Sequence, residues 1–408
     1  MTQVDVAIIG GGLVGASLAL ALADSGRSML LVESTAPDSG AQSSFDDRTT
    51  ALGNASRRIF QALQVWPAIA TRAAAIRTIH VSDAGRFGFA RLRADEQGIE
   101  AFGYVVTNSV IGAALWGRIA TLHSLTLRVP ARPEAVHITP EGVRLTIASE
   151  TGAREEFNAR VVVAADGAQS TVRAAAGIEA DVEDYAQVAI VTHVTTDRPQ
   201  DGTAYERFTP SGPLAVLPLY DGSHGVVWAT RPDRSAALLS LSEDDFLGEL
   251  QSEFGWRAGQ FRRAGRRTSY PLKLSRATTT TATRTVLVGN AAQALHPVAG
   301  QGFNLGLRDA AILAEVLAND RGDAGSPSLL HRFSEWRAAD RSGVVRFTDR
   351  LVRLFGDSRP GVGAFRNLGL LLFDLTPPAK SALARVSAGF GGRTPRLARG
   401  LAAREVSR

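Results

Sequence analysis

The chain opens on a nearly continuous apolar run. Residues 4–9 read VDVAII, a β-branched pattern expected of a strand covered on both faces. Gly10-Gly11-Gly12-Leu13-Val14-Gly15 follows, then an Ala/Leu-rich stretch to Ala23 that predicts a buried helix. A Ser25-Gly26 stop leads to a second strand, Met29–Val32, with Glu33 at its end. Residues 6–23 carry no charge and are long enough to mimic a membrane span. However, no basic residue precedes them, Asp5 sits at their edge, and three consecutive glycines interrupt them. The reading is therefore strand, glycine turn and helix, with neither a signal peptide nor a transmembrane segment expected.

Two later segments repeat this change of pattern from strand to helix. Residues 159–173, ARVVVAADGAQSTVR, predict a strand, then Asp166-Gly167, then a helix entered through Ser170 and Arg173. Residues 286–310, VLVGNAAQALHPVAGQGFNLGLRDA, predict a strand end, Gly289-Asn290, a His296-Pro297 pair and Gly300-Gln301-Gly302. A helix is expected to start between Gln301 and Asn304. The middle of the chain has a shorter period: VAIVTHV, PLAVLPL and HGVVWAT, with a turn at Asp221-Gly222-Ser223, read as an antiparallel sheet joined by residues 78–91. Residues 242–254 predict a helix with Phe246, Leu247 and Leu250 on one side. The C-terminal region reads as helical, with Phe333, Trp336, Val345, Phe347, Leu351 and Leu354 as a core stripe.

Composition narrows the classes. At 408 residues and 45% hydrophobic, the chain can bury a sizeable core, and two domains are the default. It has no cysteine, which excludes disulfides, thiolate metal sites and cysteine nucleophiles. The net charge is +5, but only Lys273 and Lys380 are lysines; with abundant alanine, this is an arginine-biased composition without any nucleic-acid recognition motif. From Arg353 onward ten basic residues face three acidic ones. A solvated basic face is favoured there over contact with an anionic membrane surface, and residues 368–375, LGLLLFDL, are read as packing rather than a lipid-facing ridge.

The N-terminal pattern carries chemistry. In G-x-G-x-x-G, Gly10 permits the tight turn, Gly12 lets a pyrophosphate approach the backbone, and Gly15 lets helix and strand pack closely. The helix N-terminus offers unpaired N–H groups to phosphates. Glu33 can accept from both ribose hydroxyls and would repel a 2′-phosphate, so the site suits FAD or NAD rather than NADP. No second fingerprint of this kind occurs in the chain.

Together the three segments resemble the signatures of the class A flavoprotein aromatic monooxygenases. DDRTTALGNASRRIF from Asp46, DYAQVAIVTHV from Asp184, RFTPSGPLAVLPL from Arg207 and VGNAAQALHPVAGQGFNLGLRD from Val288 resemble the ubiquinone-biosynthesis hydroxylases, in particular those acting on 2-polyprenyl-6-methoxyphenol. The likeness runs from about residue 3 to about residue 400. It implies an α/β fold like that of para-hydroxybenzoate hydroxylase: a Rossmann-like FAD-binding domain (1–75, 100–180 and 275–350), an inserted antiparallel β-sheet substrate domain (76–99 and 181–274) and C-terminal helices (351–408). It also implies bound FAD, NAD(P)H as a transient electron donor, and hydroxylation of a prenylated phenol by O2 through a C4a-hydroperoxyflavin. The further partners it suggests are a ubiquinone-biosynthesis complex and peripheral contact at the inner face of the membrane, for an otherwise cytoplasmic protein with no nucleic-acid partner.

Residue by residue, the resemblance gives Gly10, Gly12, Gly15 and Glu33 to the ADP half of FAD, and Arg48 to the pyrophosphate and flavin. Asp166 and Gly167 serve FAD and the pyridine nucleotide. Gly289 and Asn290 face the ribityl chain and pyrophosphate, while Pro297, Gly300, Gln301, Gly302 and Asn304 surround the flavin ring. One departure stands out: the family's Gly-Asp pair is Gly289-Asn290 here. A charge-assisted bond contributes roughly 1.5–3 kcal/mol and a neutral one roughly 0.5–1.5, so FAD is expected to bind about tenfold more weakly unless something compensates. Against these roles stand plainer ones: a surface arginine at 48, a turn residue at 166, and a loop-shaping His296 before proline. No side chain is assigned as base for the phenol. A flavin reductase or dehydrogenase of a prenylated compound, a hydroxylase of another aromatic, and a non-enzymatic scaffold remain alternatives; a halogenase is disfavoured because no W-x-W-x-I-P segment occurs.

Overall fold

The first strand organises a parallel sheet. Thr2–Ile9 pairs in parallel with Arg154–Ala164 on one side and Met29–Val32 on the other, and the order continues to Thr285–Leu287 and Leu125–Arg128. Alternation sends Val6 and Ile8 to one face, where they pack with residues of the helices Leu13–Ala21, Asn108–Ile119 and Gln301–Ala318. It sends Ala7 and Ile9 to the other, against Val143, Leu145 and Val172. Burial on both faces explains the unbroken apolar run. The structure is a computed structural model describing residues 2–37, 46–86, 88–296, 300–338 and 393–405, with isolated positions between 341 and 389. No helix among the described residues is long and apolar enough to cross a membrane.

Glycine is required where this sheet meets its first helix. Gly10 has φ of +101°, and a Cβ there would lie 2.4 Å from the Ala165 carbonyl oxygen. A Cβ on Gly15 would lie 1.9 Å from the Gly10 carbonyl oxygen. Neither contact can be relieved by a rotamer, because both partners are backbone.

A second, nine-stranded sheet lies beside the first. Its order is Gln293–Ala294, Thr268–Ala277, Ala180–Thr196, His224–Thr230, Gly212–Pro218, Thr203–Thr209, Thr78–Asp83 and Phe89–Arg93, with Phe261–Ala264 pairing on Ala180–Thr196. The sequence expectation of an antiparallel sheet needs one correction: Thr203–Thr209 and Thr78–Asp83 run parallel. The chain leaves this sheet after Phe89–Arg93, builds part of the first, and returns, so strands far apart in sequence meet without a hairpin to reverse them. Among the strands of this sheet that escaped notice in the sequence are Thr203–Thr209 and Thr268–Ala277, because charged and polar residues dilute their alternation. The helix Glu243–Phe254, capped by Ser242, buries Phe246, Leu247, Leu250 and Phe254 against the far face of the sheet.

Of the C-terminal stripe, Phe333 is buried, and Trp336 packs at its edge under the Arg393 guanidinium, 3.8 Å from the ring centroid. Val345, Phe347, Leu351, Leu354 and residues 368–375 lie outside the described residues, as does most of the expected helical region 351–408.

Candidate active site

Between the two sheets lies a cavity of about 1070 Å³. That is at the upper end of the ~300–1,000 Å³ common for ligand pockets, so there is space beyond one small ligand. Gly10, Gly12, Glu33, Arg48, Asp166, Gly167, Gly289, Asn290, Gly300, Gln301 and Gly302 all border it, although they come from the two ends and the middle of the chain. Gly15 does not; it supports the turn from behind. Pro297 lies outside the described residues.

The glycine turn is tightly held. Gly11 N–H donates to Glu33 Oε2 at 2.6 Å, and Trp116 Nε1 donates to the Gly11 carbonyl at 3.0 Å. Glu33 Oε1 accepts from Thr35 N–H at 2.9 Å and Ser34 Oγ at 3.2 Å. A carboxylate has about four acceptor directions, so Glu33 keeps capacity toward the cavity.

Asp166 holds the turn weighed for it and keeps one oxygen to spare. Its Oδ2 accepts from Thr171 N–H at 2.8 Å and from Thr171 Oγ1 and Val172 N–H, closing the turn into the helix Thr171–Ala175. Its Oδ1 is buried and has no partner among the described residues. A buried carboxylate oxygen with no donor is unfavourable, and beside this cavity it fits a hydroxyl of a bound cofactor. With the glycine cradle and Glu33, the donor and acceptor set fits FAD.

Arg48 is no loose surface residue. Its Nε lies 2.6 Å from Asp46 Oδ2, and its guanidinium sits over the Tyr270 ring, 4.6 Å from the centroid. Tyr270 Oη donates to the same Asp46 oxygen at 3.1 Å. Sequence reading missed Asp46 and Tyr270 as a pair, since they are 224 positions apart.

The helix of the last motif begins at Gln301, as its sequence predicts, and Gly300 caps it in a left-handed conformation. Its first turn borders the cavity and holds no acid, so the positive end of an 18-residue helix faces the space. Asn290, on the short turn Gly289–Ala291, is exposed and makes no hydrogen bond among the described residues. The assignment of Asn304 requires correction. Its Oδ1 accepts from Gly53 N–H and Ser56 Oγ, and its Nδ2 donates to Ala51 and Gly300 carbonyls. With 2% exposure the side chain is saturated and braces the helix start rather than reaching the cavity.

Two further groups border the cavity. His296 is buried, with Nε2 3.3 Å from Gln187 Oε1, and burial pushes its pKa down to about 4. It is neutral at physiological pH, in keeping with a loop-shaping role. Glu206 was not singled out by sequence. It stands on Thr203–Thr209, and burial pushes its carboxyl up to about 7. The available signal was the alternation Ala204, Glu206, Phe208, obscured by Tyr205 and Arg207 between them.

Comparison with known proteins agrees with this geometry. The model of the FAD binding domain family matches residues 3–348. The ubiquinone hydroxylase UbiL of Rhodospirillum rubrum is 38% identical, over 97% of this chain and 93% of its own. The 3-demethoxyubiquinol 3-hydroxylase of Escherichia coli is 34% identical, over 90% and 94% respectively. Among solved structures, p-nitrophenol 4-monooxygenase PnpA from Pseudomonas putida superposes with a TM-score of 0.80 at 20% identity, covering 96% of this chain and 100% of its own. At that identity the likeness speaks for the fold.

Proposed function

The chain belongs to the family of FAD-dependent hydroxylases of ubiquinone biosynthesis, and from that premise we propose that it hydroxylates a polyprenylated phenol of the 2-polyprenyl-6-methoxyphenol type. One observation carries the choice of substrate class: the dinucleotide motifs and an apolar sheet wall border a single cavity. The wall, which includes Ile79, Val81, Leu92, Phe208 and Leu217, suits a ring with a hydrocarbon tail better than a charged small acid.

When bound, FAD supplies electron transfer from NAD(P)H and activation of O2. The protein's part is placement and electrostatics. Gly10 and Gly12 would admit the pyrophosphate, Glu33 would accept from ribose hydroxyls, and Asp166 Oδ1 and Asn290 would offer acceptors to the rest of the cofactor. The helix start at Gly300–Gly302 would offer a positive dipole end to negative charge on a bound flavin, a contribution of up to about 2 kcal/mol when partly buried. Arg48, steadied by Asp46 and Tyr270, adds a fixed cation at the rim. Apolar lining excludes water from the reacting region.

We also propose that the protein meets its lipid-soluble substrate at a membrane surface. This rests on the lipid solubility of that substrate; the basic excess from Arg353 onward, favoured above as a solvated face, is compatible with it. Labelled O2 supplied with NAD(P)H and the prenylated phenol is expected to place one labelled oxygen on the ring. Product without label would reject hydroxylation, while labelling of other phenols only would reject the substrate class.

A further inference from the structure

Glu206 is a carboxylate that the fold itself does not need. On the strand Thr203–Thr209, alternation directs Ala204, Glu206 and Phe208 to one face and Tyr205, Arg207 and Thr209 to the other. The first three all border the cavity. In register, Glu206 stands between Val81 and Ala215, and the row continues to Ala90 beyond one and Val227 beyond the other. Five strands therefore present Ala, Val, Glu, Ala and Val in line, and every member borders the cavity.

No hydrogen bond or ion pair among the described residues holds the carboxyl, and desolvation alone accounts for its raised pKa. The nearby charges of the sheet, Arg91 and Arg207, cluster instead around His80. The charged and titratable groups that share the cavity with Glu206 are Glu33, Arg48, Arg132, Asp166, Tyr205 and His296. None of them lies in its row.

We propose that Glu206 is the base that takes the phenolic proton of the substrate during ring hydroxylation; the role rests on the substrate reading above. The O–H bond of the phenol breaks and an O–H bond forms at the carboxylate. The electron pair left on the phenol oxygen enriches the ring carbons ortho and para to it. There, oxygen from O2, activated by FAD that NAD(P)H has reduced, would replace a ring hydrogen, which leaves as a proton. The phenolic proton returns from the carboxyl to the product's oxygen before release, so Glu206 is unchanged over a turnover and its own proton transfer involves no oxidation or reduction. A base that titrates near neutral pH can both accept and return a proton, and the apolar row supplies the desolvation that places Glu206 in that range.

The test uses the FAD-loaded protein with 2-geranyl-6-methoxyphenol as probe, comparing wild type with Glu206→Gln and Glu206→Asp. Glu206→Gln is expected to keep its FAD and lose about 10²- to 10⁴-fold in kcat. It should also lose the rise of rate with pH through neutrality, which Glu206→Asp should retain. A ring-fluorinated probe, whose phenol ionises more readily, should recover part of the lost rate in Glu206→Gln; a purely structural defect would not respond to probe acidity. In difference infrared spectra, the carboxyl band present in wild type and absent from Glu206→Gln should shift when the probe binds. If Glu206→Gln keeps both rate and pH profile, the base role is overturned while the substrate reading stands. If wild type neither binds nor hydroxylates the probe, the substrate reading fails and the proposal fails with it.

Discussion

Asn290 and Glu206 show two ways in which a single residue tunes the cavity. Asn290 offers a neutral acceptor at a position where the resemblance leads one to expect a carboxylate, and it has no protein partner among the described residues. Asn290→Asp is therefore expected to tighten FAD by about tenfold, from the roughly 1.4 kcal/mol gained with a charge-assisted bond. Titrating apoprotein with FAD and following flavin fluorescence checks this; unchanged or weaker binding would refute the local argument. Glu206 has a consequence for stability as well. Its folded-state pKa lies above the unfolded value, so as pH rises the unfolded chain releases the proton first. Stability should then fall between about pH 4.5 and 7, by at most about 3 kcal/mol, and stay level above that range. Glu206→Gln should match wild type at the acid end and exceed it at pH 8 in urea unfolding; parallel curves across the range would remove the raised pKa. Buried histidines such as His296 act in the opposite direction as pH falls, and the wild-type/variant difference cancels them. Asn290 was legible in sequence because it interrupts a motif. Glu206 was not, because a mid-strand glutamate beside arginine reads as solvent-facing until the sheet register is known.

At the scale of elements, one helix holds the site from below. Asp309, in the middle of Gln301–Ala318, accepts from Gly289 N–H at 3.0 Å and from Gln293 Nε2 at 2.9 Å, and pairs with Arg337 at 2.7 Å. Both charges are almost fully buried, with side-chain exposures of 4% and 1%. Removing one member leaves the other uncompensated, so Asp309→Ala should cost about 3–5 kcal/mol and loosen the Gly289–Asn290 turn that borders the cavity. Chemical denaturation would measure the loss; a change below about 1 kcal/mol would mean that water replaces the aspartate. Strands and helices with a strong apolar period were readable in sequence: the first strand and its helix, Met29–Val32, and the helix capped by Ser242. The Asp309–Arg337 clamp was not, because nothing in the spacing of 28 residues indicates that two charges are buried together.

At the scale of the molecule, the sequence indicated two sheets and an order of motifs, but not the parallel pair within the second sheet, which depends on where the chain re-enters. It also left open how completely the site depends on the whole chain. The glycine turn and Glu33 come from the first residues, while Gly289, Asn290 and the helix start at Gln301 come some 250 residues later, a separation whose closure entropy only a well-folded core can offset. At ~5–20 residues per second of synthesis, roughly 10–50 s pass between the two halves of the cradle. A ribosome-bound chain ending near residue 280 should carry no flavin, whereas one extended past residue 320 and clear of the exit tunnel should begin to; flavin fluorescence of stalled nascent chains would distinguish them, and capture by the shorter chain would contradict this. The placement of the last motif thus makes cofactor loading a late event in biogenesis, and the young polypeptide must keep its half-built apolar wall from aggregating until the helix Gln301–Ala318 arrives.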